Sequence, residues 1–372
     1  MSIYAINLLR QLVAAGHDVT MISQYYGDPA RARVYGGGPR PGAGRARRRP
    51  RSARRTGRRR LRTRYRCDGR GDCARSCGAS VRPAARAIWL SDRLGDDDRR
   101  PASRPPCVVS IQGGDGHWVG SCCETHRLAM VRVLDHAGAL LIGGASFAGE
   151  VHDRLGTPLD RFTIVPGAVD TDHFTPAVTT APEGPVRLLY HGRVDRRKGV
   201  LDFLQALPAV RGDWHATISG IGPDVDPAQA LATELQLTDR VTFSGYADYD
   251  AVPELYRAHD VFVSPTYAEG FSNTILEAMA CGLAVVSCHA VGVVDCVRED
   301  ENGMLTDPGD VPALAASLTR IITDTSLRTR LATAALEECR RVYSWDAVGQ
   351  QIVGIYRDLR GIRKPASIRP CR

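Results

Sequence analysis

The junction around Gly270 constrains the fold more than any other feature, because it predicts a buried strand that turns directly into a helix. Residues 261–264 are apolar or β-prone, and Pro265 follows them. After Gly270 the apolar residues recur at helical spacing, and Ser272 or Asn273 can cap the helix. Strands that alternate with helices in this way are typical of a parallel α/β sheet.

Two carboxylates flank this junction. Glu269 lies on the loop at the carboxyl end of the strand, and Glu277 lies on the helix, on the same face as Asn273. Ligands of open α/β sheets bind at such strand ends, where free N–H groups at the helix start favour anions. Carboxylates beside them can accept hydrogen bonds from sugar hydroxyls. A surface loop glutamate and a helix glutamate are the alternative interpretation.

A basic turn follows another predicted strand, residues 186–191. Arg193 and Lys198 lie in it, and Lys198 is one of only two lysines in the chain. An arginine fork and a compact ammonium group suit a diphosphate. Downstream, Gly220 and Gly222 end a further strand in a turn that lets backbone approach a flat ligand. A solvated basic turn and an ordinary strand-end turn are the alternatives. Together the motifs predict one crevice along the carboxyl ends of neighbouring strands.

These motifs resemble the retaining glycosyltransferases of the GT-B fold, family 4. The resemblance covers nearly all of residues 107–360 and, weakly, residues 1–37. It implies an α/β protein with two Rossmann-like, doubly wound domains that face each other across a cleft. The motifs that carry it are Gly192-Arg193, Lys198-Gly199, Gly220-Ile221-Gly222-Pro223, Glu269-x7-Glu277 and Val165-Pro166-Gly167-Ala168-Val169-Asp170.

The resemblance also implies roles for individual residues. Arg193 and Lys198 would hold the donor diphosphate, Glu269 the hydroxyls of the transferred sugar, and Glu277 those of the ribose. In the family a histidine of the N-terminal half contacts the donor sugar, and His117 is the candidate here, with Asp115 as a second. The predicted catalytic residues are Glu269, His117, Arg193 and Lys198, and the predicted donor-binding residues are Arg193, Lys198, Gly220, Gly222, Gly270, Phe271, Ser272, Asn273 and Glu277.

The implied reaction moves a sugar, a hexose, from a nucleotide-diphosphate sugar to a hydroxyl acceptor with retention of anomeric configuration. A donor phosphate oxygen helps to deprotonate the acceptor, so no metal, cofactor or protein nucleophile is expected. The acceptor is a glycan, a lipid or a small metabolite. An epimerase or phosphorylase of the same fold is an alternative, against which the glutamate pair with Arg193 and Lys198 argues.

The segment from residue 40 to residue 104 differs in composition from the rest. It contains 22 arginines and six aspartates but no lysine or glutamate, so its formal charge is +16, against +8 for the whole chain. It shows no hydrophobic periodicity. We hypothesise that it is a GC-rich gene segment read out of frame, which resequencing tests. A disordered basic arm that binds nucleic acid or an anionic membrane without specificity is the competing interpretation.

The first residues also depart from a Rossmann-like start. Ile6, Leu9, Leu12 and Val13 predict a helical face, and residues 17–23 a strand, but the opening strand and its glycine-rich loop are missing. We therefore expect an incomplete N-terminal domain. An inactive or donor-binding-only remnant is the resulting alternative function.

The sequence predicts five segments. They are a remnant of the N-terminal domain (1–37), a disordered segment (38–106), the rest of the acceptor-side domain (107–169), the donor domain (170–345), and a helix that crosses back to the first domain with a tail (346–372).

Composition bounds the location of the protein. No apolar stretch predicts a membrane span, and no signal peptide is recognisable at the start. We expect a cytoplasmic enzyme, compatible with peripheral membrane association, whose eleven cysteines are reduced thiols.

Overall fold

The computed structural model describes residues 3–16, 86–89, 107–113, 123–177 and 184–361. For residues 3–6, 86–89 and 360–361 it describes the backbone alone. Its strands are β1 (Arg86–Trp89), β2 (Cys107–Ile111), β3 (Ala139–Ile142), β4 (Phe162–Ile164), β5 (Val186–His191), β6 (Trp214–Ser219), β7 (Val241–Gly245), β8 (Val261–Ser264), β9 (Ala284–Cys288) and β10 (Met304–Thr306).

Helices precede or follow most of these strands, as a doubly wound α/β protein requires. Short 3₁₀ turns cover Leu159–Arg161, Arg196–Lys198 and Leu207–Ala209, and a π-helical turn covers Cys339–Tyr343. The α-helices are α1 (Ile3–Ala14), α2 (Glu124–His136), α3 (Ala145–Leu155), α4 (Val200–Ala206), α5 (Val225–Glu234), α6 (Val252–Arg257), α7 (Asn273–Ala280), α8 (Val311–Thr323), α9 (Thr325–Glu338) and α10 (Trp345–Gly361).

The strands form two sheets. The first has the order β1-β2-β3-β4, and the second has the order β10-β9-β8-β5-β6-β7. Every pair is parallel except β1 with β2. The chain order reverses between β5 and β8, so the second sheet has a topological switch point there, where open α/β sheets bind ligands.

Both faces of the second sheet are buried, which explains its nearly continuous apolar strands. Leu188 and Val263 belong to the core on one side, with helices α4, α5 and α8. Leu189 and Phe262 alternate with them and belong to the core on the other side, with helix α7. The carboxyl ends of these strands are therefore held between two packed layers.

The first sheet is also covered on both faces. Val109 and Ile142 pack with α2 and α3. Val108 and Leu141 point the other way and pack with α1 and α10. Helix α10 thus follows the second sheet in sequence but packs on the first.

The structure differs from two expectations. Strand β1 lies inside the segment predicted to be disordered and runs antiparallel to β2; a run of four residues is too short to show a periodicity. In helix α1, Leu8 and Leu12 are buried, whereas Val13 is 60% exposed. The predicted face was therefore rotated. The strand predicted at residues 17–23 lies outside the described residues.

Candidate functional site

The carboxyl ends of three neighbouring strands, β8, β5 and β6, meet along one cleft. A cavity of about 270 Å³ opens at the first two. Six of the predicted site residues line it, together with five that were not predicted. The lining residues are Tyr190, His191, Gly192, Arg193, Lys198, Ser264, Glu269, Phe271, Ser272, Asn273 and Thr274.

A buried carboxylate shapes the basic turn after β5. Asp195 precedes the 3₁₀ turn Arg196–Lys198 and accepts hydrogen bonds from the Arg197 backbone N–H (3.0 Å) and guanidinium (2.7 Å). The Arg193 guanidinium lies 3.2 Å from the same carboxylate. The hydrogen bond from the Arg197 side chain is the main reason why the pKa of Asp195 lies well below its ordinary value. Asp195 thus stays charged and holds the cationic turn against the strand.

The side chains of Lys198 and Glu269 form an ion pair in the cleft. Lys198 Nζ lies 2.7 Å from Glu269 Oε1 and donates to the Ala268 carbonyl at 3.2 Å. About a third of the Lys198 side chain and a fifth of the Glu269 side chain are exposed. Both groups therefore face the cavity and are available to a ligand.

Glu277 lies deeper, on helix α7. Its carboxylate accepts a hydrogen bond from the Tyr256 hydroxyl at 3.1 Å, and it is not among the residues that line the 270 Å³ cavity. Burial raises the pKa of Glu277 to about 7, and the Tyr256 hydrogen bond opposes that effect. The Glu277 carboxylate is therefore about half protonated at neutral pH.

The imidazole of His191 stays neutral beside the cavity. Burial lowers the pKa of His191 to about 4. Its Nδ1 atom lies 3.2 Å from Ser219 Oγ, and its ring packs edge-on against Tyr256 at 5.6 Å. The positive charge of the cleft thus comes from Arg193 and Lys198.

Gly220 and Gly222 support the basic turn from behind. A Cβ on Gly220 would overlap the Gly192 carbonyl, and one on Gly222 would overlap that of Val194. These glycines let the β5 and β6 loops pack together, and contact with a ligand stays a prediction for them.

A seam of glycines joins the junction loop to the first sheet. A Cβ on Gly143 would lie 2.9 Å from the Phe271 Cβ atom, and one on Gly167 would lie 2.6 Å from Phe271 Cδ1. Phe271 and Gly270 therefore pack directly on the strand ends of the first sheet. A small pocket lies along this seam and is lined by Ser110, Ile111, Gln112, Gly113, Gly143, Val165, Pro166, Gly167, Gly270, Phe271 and Asn273.

Two of the predicted residues, His117 and Asp115, lie outside the described residues. Tyr246, which follows β7, is 68% exposed. His191 and Ser264 were missed because they close apolar strands, although their position at a strand end was a usable signal.

A search of protein families finds one match in the part of the chain that carries this cleft. Residues 172–338 match the model described as "Glycosyl transferases group 1". These residues are therefore similar to glycosyl transferases of group 1. The strands and helices that hold Arg193, Lys198, Glu269 and Glu277 all lie inside the matched region.

Curated relatives extend the match. The chain is 30% identical over 240 residues to the D-inositol 3-phosphate glycosyltransferase of Acidothermus cellulolyticus, across 59% of this chain and 53% of that protein. It is 29% identical over 269 residues to the glycogen synthase of Mycobacterium tuberculosis, across 70% and 65%. The aligned regions thus span between half and two thirds of these relatives.

Solved structures show the fold. The sucrose-phosphate synthase of Thermosynechococcus elongatus superposes with a TM-score of 0.61 at 24% identity, over 68% of each chain. An Anabaena protein solved with UDP and glucose superposes with a TM-score of 0.60 at 22% identity, over 68% of this chain and 71% of that one. The chain has the GT-B fold, as the sequence predicted.

Within the described residues, no helix combines the length and the apolar character needed to cross a bilayer. Among the described cysteines, Cys107, Cys281, Cys288, Cys296 and Cys339 are free thiols.

Proposed function

We propose that this chain transfers a sugar from a nucleoside diphosphate sugar to a hydroxyl acceptor with retention of anomeric configuration. The observation that carries the proposal is the cleft in which Lys198, Arg193 and Glu269 face the start of helix α7. It offers cations and free helix N–H groups for phosphate, and the Glu269 carboxylate for hydroxyls, within one small space.

The diphosphate would lie between the basic turn and helix α7. Lys198 and Arg193 supply positive charge from one side, and the N-terminus of α7 at Asn273 supplies partial positive charge from the other. When the bond from the anomeric carbon to the phosphate oxygen breaks, both would stabilise the charge that builds on the leaving group. This preorganised charge does the work that a metal ion does elsewhere, so we propose metal-independent transfer.

Retention is supported by the engagement of Glu269, the one carboxylate among the described residues that line the cavity. Glu269 pairs with Lys198, so its role is to orient sugar hydroxyls while Lys198 holds phosphate. The acceptor oxygen then attacks from the face that the leaving group vacates. Its proton moves to a phosphate oxygen of the departing nucleoside diphosphate, which balances the new bond to the anomeric carbon.

The relatives support this substrate class. The curated names are those of glycosyltransferases, and the Anabaena protein was solved with UDP and glucose. We therefore propose a nucleotide sugar as the donor and a cytoplasmic location, with the hydroxyl acceptor still to be identified.

The test is a titration of the whole chain with uridine, guanosine and adenosine diphosphate sugars, followed by an assay for nucleoside diphosphate release. Lys198→Ala should abolish binding of the donor that the wild type prefers. Arg196→Ala is the matched control, because Arg196 pairs with Asp224 at 2.7 Å and does not line the cavity. Equal binding by wild type and Lys198→Ala would refute the assigned site, and binding without turnover would leave a donor-binding remnant.

A further inference from the structure

Helix α3 packs on the first sheet. Its N-terminus is capped by a side chain from the second sheet's side of the seam. Gly144, the residue before the helix, offers no side chain, and the first turn of α3 contains no acidic residue. Asp295 fills this place: its Oδ1 atom accepts from the Ser146 backbone N–H at 3.2 Å, and its Oδ2 atom accepts from Ser146 Oγ at 2.5 Å.

The local sequence fits this contact closely. A Cβ on Gly144 would overlap the Asp295 carboxylate, so a glycine is needed for the approach. A carboxylate at a helix N-terminus satisfies free N–H groups and interacts favourably with the helix dipole. Here that interaction joins two parts of the chain that are about 150 residues apart, instead of stabilising one helix internally.

The same contact reaches the donor cleft through backbone hydrogen bonds. Ser146 Oγ also accepts from the Gly292 backbone N–H at 2.9 Å. The neighbouring Val291 carbonyl accepts from the Glu269 backbone N–H at 2.9 Å. Glu269 is thus one backbone hydrogen bond away from the segment that Ser146 and Asp295 fasten.

We propose that Asp295 and Ser146 are positioning residues for transfer, because they fasten the loop that carries Glu269 to the first sheet. The inference rests on the proposed function. The nucleoside diphosphate part of the donor is held by the second sheet's side alone, whereas an acceptor must meet Glu269 from the first sheet's side. Removing the fastening should therefore impair transfer and leave nucleoside diphosphate binding nearly unchanged.

The experiment compares Asp295→Ala, Ser146→Ala and the double variant with wild type. We expect turnover to fall by about tenfold in each single variant, the size of effect that a misplaced reacting group produces, with nucleoside diphosphate affinity within about twofold. Because the two residues act through each other, the double variant should be no slower than the worse single variant. Ser146→Thr, which keeps the hydroxyl, should recover most of the turnover.

Asp310→Ala is the matched control. Asp310 caps helix α8, which packs in the core of the second sheet, by accepting from the Ala313 N–H at 2.9 Å. The Asp310→Ala substitution removes the same kind of helix cap, so it should lower the melting temperature without changing turnover at 25 °C. Equal turnover in Asp295→Ala and wild type, or an equal loss of affinity and turnover, would overturn the proposal.

Hydrogen exchange separates this inference from the proposed function. The amides of Ser146 and Gly292 should lose protection in Asp295→Ala and keep it in Asp310→Ala, whether or not the chain shows transfer. If wild type shows no transfer, the proposed function fails. Hydrogen exchange alone then tests whether Asp295 and Ser146 fasten the two parts of the chain. Unchanged protection at both amides would show that the cap does not hold the seam.

Discussion

Lys198 Nζ lies 2.7 Å from Glu269 Oε1, so two groups proposed to bind different parts of the donor neutralise each other in the free protein. A phosphate that reaches Lys198 must compete with Glu269. Once it succeeds, Glu269 is free to accept hydrogen bonds from the sugar. In the proposed function, the ion pair would therefore couple phosphate binding to sugar recognition.

Glu269→Gln should bind free nucleoside diphosphate more tightly than wild type while losing transfer. The substitution removes the competitor for Lys198, and a partly exposed ion pair contributes up to about 1 kcal/mol, or roughly fivefold in affinity. Calorimetric titration measures it. Glu254→Gln is the control, because Glu254 pairs with Arg257 on the exposed surface. Weaker binding by Glu269→Gln would contradict the competition.

Affinity for a nucleoside diphosphate should rise between pH 6 and pH 8 through Glu277. Burial raises the pKa of Glu277 to about 7, so its carboxylate is mostly protonated at pH 6 and mostly charged at pH 8. A charged carboxylate accepts ribose hydroxyls better, and the expected gain is up to about tenfold. Glu277→Gln should remove the part of the pH dependence that the ligand phosphate does not cause. A 2′-deoxyribose ligand should show a smaller rise, and an unchanged pH profile in the variant would exclude Glu277.

Stability should fall below pH 6.5 because of His191. Burial lowers the pKa of His191 to about 4, so the unfolded state binds the proton first as the pH decreases. The contribution of His191 to the free energy of unfolding is therefore full above pH 6.5 and declines towards pH 4. At pH 5 the loss is about 2 kcal/mol, without a correction for water near the ring. Urea unfolding of wild type and His191→Gln at pH 7.5 and pH 5 measures it. An equal loss of unfolding free energy in wild type and His191→Gln between pH 7.5 and pH 5 would contradict this role of His191.

Gly167→Ala should slow transfer without weakening nucleoside diphosphate binding. Its Cβ would lie 2.6 Å from Phe271 Cδ1 and 2.8 Å from Asn273 Oδ1, so it would separate the junction loop from the first sheet. We expect about a tenfold loss of turnover, as for a reacting group displaced by a fraction of an ångström. Gly149→Ala is the control, because nothing lies within 4 Å of the added Cβ in helix α3. A similar loss in both variants would point to a general effect on folding.

The sequence predicted the second sheet and its cleft well, for a physical reason. Strands such as residues 261–264 are continuous apolar runs, and the helix after Asn273 has apolar residues at helical spacing. Both signals are local. Parallel strands end at one edge, so local signals were enough to bring Arg193, Lys198 and Glu269 together.

The contacts across the seam were not predictable in the same way. Ser146 and Asp295 each look like ordinary residues in their own segments, and only the folded chain brings them to 2.5 Å. The turn at Gly220 was recognised, but its close neighbour proved to be the Gly192 backbone. The strand Arg86–Trp89 was missed because four residues carry no periodicity.

Helix α10 closes the core of the first sheet, although it is the last helix that the structure describes. During translation the apolar face of Val108 and Leu141 therefore leaves the ribosome long before its cover exists, whereas the second sheet draws its helices from neighbouring sequence. The part of the chain that forms the first sheet is synthesised first but should complete its folding last. It should depend on chaperones until helix α10 has emerged. Protease digestion of arrested nascent chains should show residues 186–338 protected before residues 107–165.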